Sequence, residues 1–192
     1  MDSFLNVRSE LDQDRFLQEF LKFVRSREII EQGDRLLLAC SGGLDSTVLL
    51  HLLVRASRMM GFQIIVAHVD HNLRGLASRQ EGVWVQSFAG RYELETHRLE
   101  IHPPEKYSQE VLRSLRRGKL IELAANMGCH KIVTAHHASD NAETFLMRAV
   151  SGTGVAGLAG MSPKDRSWVR PLLWATREDL EDYARMYGLG WV

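Results

Sequence analysis

Three short polar clusters in this 192-residue chain carry residue types that can do chemistry. The first, Ser41-Gly42-Gly43-Leu44-Asp45-Ser46, combines backbone N–H groups that glycines leave accessible with two hydroxyls and one carboxylate. Such a set can cradle an anion while the acid holds a cation against it. The second, His68-Val69-Asp70-His71-Asn72-Leu73-Arg74, offers imidazoles, a carboxylate and a guanidinium. The third is His136-His137-Ala138-Ser139-Asp140-Asn141-Ala142-Glu143-Thr144, with two imidazoles and two carboxylates. Each alone reads equally well as a tight turn, a helix cap or a strand end. Four of the histidines, His68, His71, His136 and His137, do not make a metal centre by spacing. Strand neighbours point to opposite faces, and no acid completes a tetrahedral set.

The elements that must position these clusters alternate between two periods. Phe16, Phe20, Phe23 and Val24 mark a helix over about residues 12 to 31, ended near Gly33. Leu36 to Cys40 is a continuous apolar run, as in a strand covered on both faces. Val48, Leu49, Leu52, Leu53 and Ala56 then follow helical spacing. Ile64 to Val69 predicts a second strand, a helix capped near Ser78 follows it, and Leu94 to Ile101 predicts a weaker third strand. Leu112 to Met127 gives a long helix, Lys131 to Ala135 a strand, Ala142 to Ala149 a helix face, Val169 to Leu173 a short strand, and Arg177 to Tyr187 a last helix. This alternation predicts an α/β fold, a doubly wound, mostly parallel sheet of about five strands with helices on both faces. In such a sheet ligands bind beyond the carboxyl ends of the strands, where all three clusters fall. Three clusters at one edge, with glycines ahead of a helix N-terminus, favour a phosphate site. The loop has neither the lysine of a P-loop nor the Gly-x-Gly-x-x-Gly of a dinucleotide fold.

Composition bounds the partners. Lys plus Arg and Asp plus Glu are 24 each, so the net charge is zero and no global field draws the chain to nucleic acid. A local patch of Lys106, Arg113, Arg116, Arg117 and Lys119 reads equally as a solvated helix face or an RNA contact. No apolar stretch approaches the ~20 residues of a membrane span. The acidic start lacks the pattern of a secretory signal, so a cytoplasmic location is expected. Cys40 and Cys129 are too far apart for a disulfide framework or a thiolate zinc site. The four tryptophans are expected as core or rim residues rather than a base-stacking platform.

The string Ser-Gly-Gly-Leu-Asp-Ser after an apolar strand resembles the PP-loop of ATP pyrophosphatases, which grip the pyrophosphate of ATP and transfer AMP. From about Arg35 onward the chain resembles one branch of these, the tRNA(Ile)-lysidine synthetases. The resemblance rests on His68 to Gly75, on Glu110-x-x-Arg113-x-x-Arg116, on Thr134 to Thr144, on Ser151 to Met161 and on Arg170-Pro171-Leu172-Leu173. It implies adenylation of the wobble cytidine of an isoleucine tRNA with anticodon CAU, displacement of AMP by free lysine, and ATP and Mg2+ as cofactors. It implies that Ser41, Gly42, Gly43, Leu44, Asp45, Ser46, His68, Arg74 and His136 bind the nucleotide. Asp45 is implied as the magnesium and catalytic carboxylate, Arg113 as a second catalytic group, and Asp140, Glu143 and Arg116 as substrate-binding. A homodimer is left open. A thiolating PP-loop enzyme and a non-catalytic adenine-nucleotide-binding module are the alternatives.

Departures from the family pattern are Ser139 and Asn141 in a His-His-x-Asp-Asp-Gln motif, Asn72 for a glycine, and Arg117 for a tyrosine. Residues 1–192 are expected to form one PP-loop nucleotide-binding catalytic domain. The chain stops at Val192, before the family's acidic and Ser-Asn element and without its C-terminal tRNA-binding domains, so a fragment is expected.

Overall fold

A computed structural model describes residues 14–70, 76–104, 106–150 and 160–192. In chain order the elements are α1 (Arg15–Ser26), β1 (Arg35–Ala39), α2 (Leu44–Met60), β2 (Gln63–Asp70), α3 (Leu76–Gly90), β3 (Thr96–Glu100), α4 (Gln109–Asn126), β4 (Lys131–Val133), α5 (Ala138–Val150), β5 (Lys164–Asp165), β6 (Trp168–Val169) and α6 (Arg177–Met186). The sheet order is β3-β2-β1-β4-β6-β5, parallel throughout except for the β5–β6 pair. The expected mostly parallel, doubly wound sheet is borne out, with the two-residue β5 added at one edge. No sequence signal marks β5, because its hairpin turn uses Arg166 at φ 54 where glycine or asparagine is usual.

Side-chain alternation along the central strands builds two cores. Leu36, Leu38, Ile64 and Val66 face the layer that holds α1, α2, α3 and α6, whereas Leu37, Ile65, Ala67 and Ile132 face Leu120, Leu123 and Ala124 of α4. Both faces of β1 are therefore dry, as its unbroken apolar run requires. The chain lays down β2 and β3 on one side of β1 and then crosses to place β4 on the other, so a switch point opens between β1 and β4. The register keeps the strand ends level, with Leu38 beside both Val66 and Val133.

Element ends differ from expectation for local reasons. The first helix is shorter than the expected 12 to 31. Asp14 caps its start by accepting from the Leu17 N–H at 3.0 Å, and at its end Glu28 turns left-handed at φ 49. The Ile29 N–H then returns to the Val24 carbonyl at 2.9 Å and Ile29 is tucked into the core. Helix α3 opens at Leu76, ahead of the expected cap at Ser78. The strand expected over Val169 to Leu173 ends at Val169, since Pro171 has no N–H to give a ladder, and only a bridge from His137 to Leu172 continues it. Helix α5 forms, but none of its residues is buried, and Phe145, Leu146, Met147 and Val150 are exposed.

One polar cluster ties α1, α2 and α6 together. Arg55 donates to Asp14 and to the hydroxyls of Tyr187 (2.7 Å) and Tyr183 (3.3 Å), Tyr187 donates to Asp14, and His51 meets Tyr183 at 2.9 Å. Burial alone would push the Asp14 carboxyl up, but hydrogen bonds from Tyr187, the Leu17 N–H and Arg55 outweigh it and hold the pKa below its ordinary value. A depressed carboxylate contributes fully above its unfolded pKa, and the contribution is lost as pH falls through the folded one. Asp14→Asn should therefore destabilise by ~3 kcal/mol at neutral pH, by leaving the Arg55 charge uncompensated. In thermal unfolding, the gap to the unaltered protein should shrink below about pH 4. A gap of constant size across that range would show that the Asp14 charge is not what the cluster needs.

Candidate functional site

The loop between β1 and α2 is organised by one hydroxyl. Ser46 Oγ accepts from the N–H groups of Ser41 and Gly42, both at 3.2 Å, lies 3.1 Å from Ser41 Oγ and donates to the Gly43 carbonyl at 3.0 Å. Thr47 Oγ1 closes the outer side on the carbonyls of Gly42 and Gly43. The N–H groups of Ser41 and Gly42 thus turn inward to Ser46. The donors left for an anion are those of the first turn of α2, which no side chain caps. Gly42 is at φ 90, and a Cβ there would lie 2.8 Å from Val192 Cγ2.

Beyond this loop lies a cavity of about 270 Å³ whose lining includes Ser41, Gly43, Asp45 and Ser46 from the first cluster, His68 from the second and His136 and Asp140 from the third. The three sequence clusters do meet at the switch point. Leu44 is instead buried in the core, and Gly42 packs towards Val192, Val85 and Trp84. Arg74 lies outside the described residues. His68 is almost wholly buried, with Nδ1 3.1 Å from the Cys40 carbonyl and Nε2 lacking a hydrogen-bond partner among the described residues. His136 shares a hydrogen bond with Thr134 Oγ1 at 2.9 Å. Burial, aided by the nearby Arg170, Arg116 and Arg113 charges, pushes its pKa down to about 4.

Two residues that sequence reasoning left out of the site complete it. His137 Nε2 stands 3.8 Å from Asp45 and 3.6 Å from Asp140, and its N–H is capped by Asp140 at 3.0 Å. Arg177, at the start of α6, donates to Asp45 Oδ1 at 2.7 Å. Burial raises the Asp45 pKa despite the opposing Arg177 and His137, and Asp140 adds to the rise. His137 was visible in the third cluster as one of an adjacent pair. Nothing in the sequence linked Arg177 to a loop 132 positions earlier.

The remaining predicted residues divide. Arg116 lines the first cavity, and together with Arg113 and Arg117 it also lines a second cavity of about 430 Å³ that shares Thr134 and His136 with the first. Glu143 is exposed one turn beyond Asp140 and does not line the first cavity. Of the departures, Ser139 is exposed, while Asn141 accepts from the Met161 N–H at 2.5 Å and so pins the chain that leads to β5. Lys119 pairs with Glu122 at 3.1 Å and belongs to an ordinary solvated face. A single carboxylate beside phosphate oxygens suits Mg2+, which seldom uses a full protein cage. Asp45 is placed for that task, and among the described residues no group of three or more His, Cys, Asp and Glu could hold a metal alone.

Two measurements follow from these charges. A carboxylate whose folded pKa is raised is held at a cost once ionised, so Asp45→Asn should leave the thermal midpoint unchanged or slightly higher at neutral pH. A fall of several degrees would make the Arg177 pair structural. In nitrogen-edited spectra, His136 should stay uncharged down to about pH 4. Protonation near the ordinary value would mean that water reaches its ring.

Comparison with known proteins agrees with this geometry. A tRNA(Ile)-lysidine synthase of Thermosipho africanus is 38% identical over 174 residues, 88% of this chain and 40% of the relative. One of Clostridium tetani is 34% identical over 176 residues, again 88% of this chain and 38% of the relative. The chain thus spans about two fifths of the length of these relatives. Among solved structures, a U34-tRNA thiolase of Methanococcus maripaludis with its [4Fe-4S] cluster superposes with a TM-score of 0.76 at 21% identity, covering 92% of this chain and 66% of that one, a likeness of fold. The PP-loop domain family matches residues 12–192, and with the Ser41–Ser46 loop seated at the switch point of a parallel sheet, this chain belongs to that family.

Proposed function

We propose that the chain carries out ATP-dependent ligation of lysine to the wobble cytidine of an isoleucine tRNA with anticodon CAU. The observation that carries this reading is the meeting of Asp45 and Asp140, both in the cavity wall, at His137 Nε2. The names of the relatives, aligned over most of the chain, point the same way.

In this reading the triphosphate lies against the first turn of α2, with Ser41, Gly42, Gly43, Leu44 and Ser46 shaping the loop under it. His68 and His136 line the cavity beside the nucleotide, and the resemblance assigns Arg74 to the nucleotide as well. Asp45 would hold Mg2+. The ion, when bound, would neutralise charge that builds on the phosphates as the bond between the α phosphorus and its bridging oxygen breaks. The cytidine carbonyl oxygen attacks the α phosphorus, and pyrophosphate leaves. The lysine amine, delivered uncharged, then forms the new carbon–nitrogen bond, and AMP departs with the oxygen while the amine gives up a proton. Asp140 attracts the cationic end of lysine, with Glu143 one turn further out. Arg116, which lines the cavity, offsets phosphoryl charge from α4, and Arg113 lines the second cavity beside it. Arg177, bonded to Asp45 Oδ1, would orient the carboxylate that holds the ion.

A cytoplasmic location, where tRNA and ATP meet, accompanies this reading. No helix among the described residues is long and apolar enough to cross a membrane. The thiolating alternative needs a reactive sulfur at the cavity. Cys40 lines it but is buried, its thiol is pushed up by that burial, and its sulfur sits 3.6 Å from Ser46 Oγ.

Incubation with Mg·ATP, lysine and unmodified isoleucine tRNA should release AMP and pyrophosphate and add the mass of lysine, less water, to one cytidine. Asp45→Asn should abolish both, and replacing Cys40 and Cys129 together should spare both. ADP and phosphate as products would remove the nucleotide chemistry. A sulfur-sized mass change would transfer the chain to the thiolating branch.

A further inference from the structure

The second cavity is lined by more positive charge than the fold can use. Arg113, Arg116 and Arg117 share one face of α4 by their spacing, and Arg170 enters from the end of β6. None of the four makes an ion pair among the described residues, and Asp165 is the one acid that acts on Arg170 from a distance. Arg170 is more than nine-tenths buried. Its Nη1 donates to the Ser162 carbonyl at 2.7 Å, yet its Nε has no partner among the described residues. A buried guanidinium N–H without an acceptor is costly, and on a residue that lines a cavity with other arginines it suits an anionic oxygen. Arg117 rests on Trp168, with its guanidinium carbon 4.3 Å from the centre of that ring. Burial, with the neighbouring Arg113 and Arg117 charges, lowers the Arg116 pKa, as expected of cations crowded together.

We infer that this cavity is a phosphodiester subsite, in which Arg113, Arg117 and Arg170 grip the RNA backbone next to the nucleotide that enters the first cavity past Arg116 and His136. The inference rests on the tRNA reading above and adds to it the place where the strand is held. The volume of about 430 Å³ accommodates a nucleotide-sized group, and the shared wall of Thr134, His136 and Arg116 joins the two cavities. Trp168 is buried beneath Arg117, so it supports the arginine rather than stacking on a base. The same arginines could instead receive the pyrophosphate end of ATP, and the experiment separates the two sources.

The test measures two affinities for the full chain, for Arg117→Gln and for Arg117→Lys. One ligand is an RNA hairpin with CAU in its loop, titrated at several salt concentrations, and the other is a magnesium complex of an ATP analogue uncleavable between the α and β phosphates. Arg117→Gln should weaken RNA binding about tenfold and reduce the magnitude of the salt slope by about 0.7, the value for one single-strand phosphate contact. Arg117→Lys should restore the slope, because it keeps the charge, while recovering only part of the affinity. Analogue binding should be unchanged in both. A loss of analogue affinity with the RNA slope intact would assign the cavity to the triphosphate and overturn the inference. An unaltered slope in Arg117→Gln, with RNA still bound, would overturn it while leaving the tRNA reading standing. Failure of the unaltered chain to bind the hairpin would sink both. If Arg117→Gln lowers the thermal midpoint through lost packing on Trp168, the exposed Arg113→Gln must give the same loss of slope.

Discussion

The parallel pairing of β1 with β2 on one side and β4 on the other is the constraint on which the rest depends. Five residues of β1 pair with β2 and three of them also with β4, and the side chains of Leu36, Leu37 and Leu38 are buried alternately in two cores. A strand so enclosed cannot slip by one residue without exchanging its faces, so the level of its carboxyl end is fixed. The ends of β2 and β4 are fixed with it. The loop of Ser41 to Ser46, the imidazole of His68 and the pair His136–His137 therefore emerge at one height, and the cavity between them is a product of strand register.

Helix α2 transmits that register to the charges. It is joined to α6 at both ends, by Arg177 to Asp45 at one and by Tyr183 and Tyr187 to Arg55 at the other. The two carboxylates involved are treated in opposite ways. Asp14 is surrounded by donors, sits below its ordinary pKa and contributes to stability. Asp45 is desolvated beyond what Arg177 and His137 return, so its charge is held at a cost. A fold tolerates such a cost where the charge has another use, and perturbed groups in clefts gather at functional sites for that reason.

The sheet was legible in the sequence because strands buried on both faces read as unbroken apolar runs, as at Leu36 to Cys40 and Ile64 to Val69. The loop was legible because glycines, hydroxyls and a carboxylate between such a strand and an amphipathic helix have few other uses. The strand expected to reach Leu173 was curtailed by Pro171, and β5 escaped notice because Arg166 occupies a conformation its residue type seldom adopts. Arg177 was unreadable because its contact with Asp45 depends on how two helices pack. Asn141, read only as a departure from a motif, proved to be a backbone anchor for Met161.

Two glycines at this edge differ in how a genetic lesion could be repaired. At Gly160 the obstacle to a side chain is Asn141 Oδ1, 2.5 Å from where a Cβ would sit, with no positive φ to accommodate. A second change that shortens Asn141 would remove the obstacle, so Gly160→Ala is open to suppression from one neighbouring position. Gly42 meets both kinds of obstacle at once, the Val192 methyl at 2.8 Å and a backbone at φ 90 that costs an L-residue on the order of 1–2 kcal/mol. Trimming Val192 would clear the space and leave the torsion unrelieved. A selection for revertants of Gly42→Ala would accordingly return true glycine codons, whereas one for Gly160→Ala would also return compensated pairs.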